Sequence, residues 1–186
     1  MSGGAGRDRH RVLRQLRAEL SRHPAVRSVT GGPPTTYRAL RARVAPARFG
    51  RATEVASLRM TWTAVPSPGP AASDRPSDVW RRTPIEAYYA LHYSEPAGLD
   101  CGIHCEPNPH VDGLLHYQER ASPDDPYTYT PLTLAARSAA GLLWEMMDVL
   151  ADRLDQSIQV RARAGRLAAN RPSPHGWPDS PPASWH

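Results

Sequence analysis

LDCGIHCEPNPHVDGLLHYQER, residues 99–120, decides how this chain is read, because it holds both cysteines, three of the eight histidines and five charged side chains. CGIHC suggests a metal-ligand cluster, whereas strict alternation makes it a half-buried strand. In LDCGIHCE, Leu99, Cys101, Ile103 and Cys105 share one side, and Asp100, Gly102, His104 and Glu106 share the other. Four strand residues at roughly 3.3 Å each separate the cysteines by about 13 Å. Two thiolates on one zinc must lie within about 4 Å of each other, and a disulfide needs Cα atoms within about 7 Å. Neither fits, and there is no second ligand pair. The expectation is two buried core cysteines, with no metal and no cofactor.

The segment predicts a hairpin, with strand 99–106 turning at Pro107-Asn108-Pro109 and returning as 110–119. A register that pairs Glu106 with His110 sets His104 opposite Asp112 and Asp100 opposite His116. Cys105 then meets Val111, and Cys101 meets Leu115. One face is almost wholly polar and the other apolar, whereas a slip of one residue mixes them.

Two further strands extend this sheet. VASLRMTWTAV, 55–65, alternates Ala56, Leu58, Met60, Trp62 and Ala64 against Ser57, Arg59, Thr61 and Thr63. EAYYALHYS, 86–94, puts Tyr89, Leu91 and Tyr93 in the core, which leaves Tyr88 and His92 on the polar side. YRALRARV, 37–44, reads as a fifth strand. The open face would carry Tyr88, His92, Asp100, His104, Glu106, His110, Asp112 and His116. Histidines beside carboxylates make a surface that can take and give protons near neutral pH. The alternative is an ordinary wet sheet face, which antiparallel sheets commonly have.

RDRHRVLRQLRAELSR, 7–22, reads as a helix that buries Leu13, Leu16 and Leu20, with Pro24 ending it. Residues 23–36, with GGPPTT, read as loop. A long C-terminal helix is expected from a Thr130 cap with Pro131 in its first turn. Its stripe is Leu132, Ala136, Ala139, Leu143, Met146 and Leu150, prolonged by Leu154 and Ile158. Residues 66–84 read as a Pro/Ser-rich insertion and 171–186 as a disordered Pro-rich tail. The expected fold is α+β: an antiparallel sheet of four to five strands, covered on one face by the long C-terminal helix, with an extra N-terminal helix. The expected organisation is a basic helix and linker over 1–36 and one domain over 37–170.

All 23 basic residues are arginine. Without lysine the chain has no P-loop lysine, no pyridoxal-phosphate Schiff base and no kinase strand lysine, so those classes are excluded. Residues 1–51 hold twelve arginines against Asp8 and Glu19, and 52–186 hold eleven against sixteen acids. Arg7, Arg11, Arg14 and Arg17 form a basic arm suited to RNA, DNA or an acidic partner. No apolar run approaches the roughly 20 residues of a membrane span, and the start lacks the apolar segment of a secretory signal. A cytoplasmic protein that does not bind membranes is expected.

The order of these elements resembles a known family. A strand ending in Trp62 and then Pro66, YALHY at 89–93, the spaced Glu106, Asn108, His110, Asp112 and His116, and PYTY at 126–129 before a helix are similar to the TumE-like proteins, the toxin component of bacterial toxin–antitoxin pairs. The resemblance spans roughly residues 55–155. It has no counterpart for the first 50 residues or for 66–84, and Leu114 and Leu115 interrupt the family's histidine-rich turn. It implies a small cytosolic toxin neutralised by a cognate antitoxin protein, with those five residues as the matching site. For RNA cleavage, His104 or His116 would supply the base or acid beside Asp112, and Arg59 or Arg120 the cation. Tyr88, His92, Glu106, Asn108 and His110 would line the binding surface. The competing expectation is a non-catalytic binding module that docks through the arginine arm. Whether the chain is an enzyme stays open at this point.

Overall fold

Alternation along the central strands dictates the architecture. The computed structural model describes residues 3–33, 36–64 and 85–169, with side chains described from 7 to 156 within those ranges. The chain runs α1 (Gly3–Leu20), β1 (Val26–Gly32), β2 (Ala39–Val44), a 3₁₀ turn (Pro46–Phe49), β3 (Ala56–Ala64), β4 (Ala87–Ser94), β5 (Asp100–Cys105), β6 (Leu115–Arg120), β7 (Thr128–Pro131) and α2 (Ala139–Ala169). The strands form one antiparallel sheet in the order of the sequence, β1 to β7. The fold is α+β, with seven strands where four to five were expected.

Both additional strands lie at the edges. β1 falls in the segment expected to be loop. Its sequence, VRSVTGG, offers one fully inward residue, Val29, and a register irregularity between Val26 and Ser28, so it carries little periodic signal. β7 contains Thr130-Pro131, which had suggested a helix start. Proline is tolerated there because an edge strand needs no donor on its outer side. The helix begins eight residues later, at Ala139. Ser138 caps it, its Oγ accepting from the Gly141 N–H at 3.1 Å. The carboxylate of Glu145 holds the preceding segment, accepting from the Ala135 N–H at 2.8 Å and the Ala136 N–H at 2.8 Å.

The core lies between the sheet and two helices that touch each other. α1 covers β1–β3 through Leu13, Leu16 and Leu20, all fully buried. α2 contributes Leu142, Leu143, Met146, Met147, Leu150 and Leu154. The expected division at residue 36 falls between two hydrogen-bonded strands, and α1 belongs to the same core as the rest. The proposed insertion, the tail and the side chain of Ile158 lie outside the described residues. Among the described residues, no helix is long and apolar enough to cross a membrane.

One buried ion pair joins the chain behind the sheet. Arg51 Nε and Nη2 donate to the two oxygens of Glu95 at 2.6 and 3.0 Å, and the Tyr93 hydroxyl donates to the same carboxylate at 2.8 Å. The hydrogen bond to Glu95 holds the Arg51 pKa above its ordinary value. This two-pronged, largely desolvated geometry is the strong form of an arginine–carboxylate contact.

Cys101 and Cys105 are free and fully buried. Burial pushes their thiols up to about 12 and about 11. Both should react slowly with a thiol reagent in the native state; rapid native labelling would contradict this packing. Leu16→Ala on α1 should cost about 2–5 kcal/mol in urea unfolding, the loss expected for a closed leucine site. A variant within about 0.5 kcal/mol of the parent would mean that α1 is detachable.

Candidate functional site

The site is built on the face opposite the core, where β4, β5 and β6 present alternate residues. The hairpin register differs from the expected one by four residues: Asp100 opposes Arg120, His104 opposes His116, and Cys105 opposes Leu115. The turn is therefore a long connection, residues 106–114, rather than a tight corner at 107–109. Gly113 in this loop takes a left-handed φ of 89°, and the Glu106 N–H donates to the Leu114 carbonyl at 3.0 Å to close it. A slip of four preserves the parity of the pleat, so each side chain keeps its face while its cross-strand partner changes. Asp112 leaves the sheet and is exposed in the loop, away from the position opposite His104.

Four side chains form a continuous hydrogen-bonded line. His92 Nε2 pairs with Asp100 Oδ1, His92 Nδ1 lies 3.1 Å from His104 Nε2, and His104 Nδ1 lies 3.1 Å from Glu106 Oε1. Gly102 makes this possible. It sits opposite His92, and a Cβ there would lie 2.6 Å from the Leu91 carbonyl oxygen and 2.8 Å from His92 Nδ1. Without a side chain at 102, the imidazole of His92 lies across β5 and reaches both Asp100 and His104.

Each ring lies between a carboxylate and the other ring, and its tautomer sets which nitrogen donates. Burial is the largest influence on His104 and lowers its pKa, with His92 and His116 acting in the same direction and Glu106 opposing. Burial thereby favours the neutral form of His104. Arg120 lies 3.6 Å beyond Asp100, with its guanidinium 4.8 Å from the centre of the Tyr127 ring. Burial first, and then Asp100, raise the Tyr127 pKa.

His116 is placed differently. It is fully buried, where a wet face was expected. Its Nδ1–H donates to the Leu114 carbonyl at 3.1 Å and its Nε2 accepts from Asn108 Nδ2 at 3.2 Å. Both nitrogens are engaged and burial lowers its pKa, so it is a neutral structural tautomer that anchors the 106–114 loop. His104 stacks on it with ring centres 5.7 Å apart. Tyr129 of β7 meets His116 at 5.9 Å and stacks on His110 at 5.1 Å. The Asn108 Oδ1 accepts from the His110 backbone N–H at 2.9 Å, which shapes the loop beneath His110.

The structure thus brings together His92, His104, Glu106, Asn108, His110 and His116. Arg59 lies directly opposite His92 on β3, and Tyr88 sits two positions before Ala90 on β4. Arg7, Arg11, Arg14 and Arg17 of α1 lie behind the sheet, on the far side of the core from the histidine line. Sequence reasoning missed Gly102, Tyr127 and Tyr129 as site elements. A glycine inside an otherwise regular strand was the available signal, since it marks close approach by another group. Among the described residues, no group of three or more His, Cys, Asp or Glu side chains is arranged to hold a metal ion. Comparison with protein-family models, with curated proteins and with solved structures returns no match.

Three buried or partly buried histidines, His23, His104 and His116, have pKa values lowered mainly by burial. A lowered folded value means that the unfolded chain binds more protons as pH falls below about 6.5. Stability should therefore be fully present above that pH and be lost as pH falls through the folded values. Urea midpoints measured from about pH 8 to pH 5 should show the fall, and His116→Gln should flatten it. His116→Ala should itself cost about 2–3 kcal/mol, because it orphans the Leu114 carbonyl and the Asn108 amide. A change below about 0.5 kcal/mol would refute the structural role.

Proposed function

We propose that this protein is the toxin component of a bacterial toxin–antitoxin pair of the TumE-like kind, held inactive by a cognate antitoxin protein, and that it cleaves RNA by acid–base chemistry on the open face of its sheet. The observation that carries the reading is the Asp100–His92–His104–Glu106 line. A wet sheet face with no task has no need of two hydrogen-bonded imidazoles set between two carboxylates, or of a strand glycine that clears space for them.

The line ends at the surface in Glu106, whose side chain is 51% exposed. Its Oε1 accepts from His104, and Oε2 has no partner among the described residues. Glu106 is the base: its carboxylate takes the proton of a ribose 2′-hydroxyl. The 2′-oxygen then forms a bond to phosphorus as the bond from phosphorus to the 5′-oxygen breaks. The leaving oxygen takes a proton from His110, whose ring is exposed on the stack with Tyr129 and has no hydrogen-bond partner among the described residues. The products are a 2′,3′-cyclic phosphate and a 5′-hydroxyl, and no further reactant is needed. His104 and His92 hold the carboxylate of Glu106 in place and stabilise its charge. Arg59, opposite His92 on the same face, supplies positive charge for the RNA backbone. Arg120, tied to Asp100 and Tyr127, keeps a positioning role.

A second reading is supported by the exposed arginines of α1. Arg11 and Arg14 line a shallow surface with His10 and Gln15, and Arg14 makes no ion pair among the described residues. A binding module would use this surface for nucleic acid or an acidic partner protein. The two readings use opposite sides of the molecule, so substitutions separate them. Glu106→Gln and His110→Ala should each abolish growth inhibition when the protein is expressed alone, with melting temperatures unchanged. Stable, fully toxic variants would overturn the catalytic reading. Loss of toxicity in Arg11→Gln/Arg14→Gln alone would move the function to α1.

A further inference from the structure

The open face carries a second feature beside the histidine line. One rung crosses the whole sheet: Thr30, Arg41, Arg59, His92, Gly102, Gln118 and Tyr129 are successive cross-strand partners. Arg41 and Arg59 are therefore direct neighbours of like charge. Such a pair is destabilising. Arg43 adds a third charge on β2, opposite Ser57. Nothing on β1–β3 offsets them: the other open-face residues there are Ser28, Thr30, Gly32, Ala39, Ser57, Thr61 and Thr63. Among the described residues, Arg41 and Arg59 form no ion pair, and the arginines of α1 lie on the other side of the core.

Arg41 and Arg59 line a groove of about 310 Å³ with Arg38, Thr30, Gly31 and Gly32. At Gly32, where a Cβ would meet nothing within 4 Å, the floor is bare backbone. A guanidinium pair held apart on a rigid sheet, with no carboxylate paired to it among the described residues, has the chemistry to accept a phosphate by forked hydrogen bonds. The position is as telling as the charge. Arg59 is one strand spacing, about 4.8 Å, from His92, and Arg41 is about two spacings away. A chain of phosphates running across the strands meets the histidine line and the groove in succession.

We propose that the groove over β1–β3 is a phosphate subsite for single-stranded RNA, holding the backbone phosphate next to the one that reacts at Glu106. The substrate is then a polynucleotide and not a mononucleotide. This deepens the ribonuclease reading and rests on it for the identity of the polymer. A strand laid across a sheet with aromatic rings at one end, here Tyr127 and Tyr129, matches how single-stranded nucleic acid is held by charge and stacking together.

The test uses the full chain and a labelled single-stranded RNA of about ten nucleotides with 2′-O-methyl riboses, which binds but cannot be cleaved. Binding is followed by fluorescence anisotropy over a range of salt. Arg41→Gln and Arg59→Gln should each weaken binding about tenfold and lower the log–log salt slope by about 0.7, the single-strand increment for one phosphate contact. Neither should lower the melting temperature, because each relieves a like-charge pair. Arg14→Gln on α1 should change nothing. Unchanged affinity and slope in Arg41→Gln/Arg59→Gln would overturn the subsite, whatever Glu106→Gln does to growth. Absence of RNA binding by the parent at low salt would overturn it as well, and equal loss of affinity for duplex DNA would refute the single-strand assignment. If Glu106→Gln stayed toxic while the arginine variants lost RNA, the cleavage reading would fall and the subsite would stand.

Discussion

The two-residue period of the pleat governs this molecule. One face of β2–β6 must be buried under α1 and α2, so inward positions are apolar: Leu40, Ala42 and Val44 on β2, Leu58, Met60 and Trp62 on β3, and Cys101, Ile103 and Cys105 on β5. The remaining positions are thereby free to be polar, and the chain has put its titratable groups there. The site is therefore a by-product of the same constraint that makes the core. His92, Asp100 and His104 share a surface because Leu91, Tyr93, Cys101 and Ile103 share the interior.

That logic explains how much of the structure the sequence discloses. The faces of β3, β4 and β5 follow from alternation alone, as does the burial of both cysteines. The register of the β5–β6 hairpin does not, because a four-residue slip keeps the same residues inside; the observed one goes with the 106–114 loop, which turns at Gly113 and is closed by the Glu106 N–H on the Leu114 carbonyl. Segregation of polar from apolar side chains identifies a face, whereas rung-by-rung pairing needs the turn. The same limit applies at the edges. β1 and β7 are paired on one side only and rich in Gly, Thr and Pro, so packing against a neighbour, not their own pattern, makes them strands. Thr130-Pro131 shows how a genuine helix-start signal is overridden when its backbone pairs with β6.

For the site, the sequence identified most of the histidines but not their division of labour. His104 and His116 are direct cross-strand partners with stacked rings, yet one belongs to a hydrogen-bonded line that reaches solvent and the other is sealed. The difference comes from the 106–114 loop, which folds Asn108 over His116 and leaves Glu106 and His110 outside. A buried neutral imidazole behind a partly exposed one is a rigid backing. It fixes the plane of His104 by stacking, and with it the direction in which Glu106 is held. The exposed carboxylate is thereby positioned by a half-buried ring that rests on a sealed one, a more rigid support than a loop alone could offer.

The unbroken order of the sheet, each strand beside its neighbour in sequence, has a consequence for how the chain folds and how it can change. Every pairing closes a local segment, so contact order within the sheet is low and hairpins can form one after another without waiting for distant parts. The connection from Ala64 to Ala87 is the longest between paired strands, yet β3 and β4 are matched along eight successive partners. Loop-closure entropy grows only with the logarithm of length, about 0.6 kcal/mol for each doubling. A meander of this kind tolerates the lengthening of a single connection at small thermodynamic cost. Variation between β3 and β4 is thus uncoupled from the hydrogen-bonded rungs on which His92 and Arg59 sit.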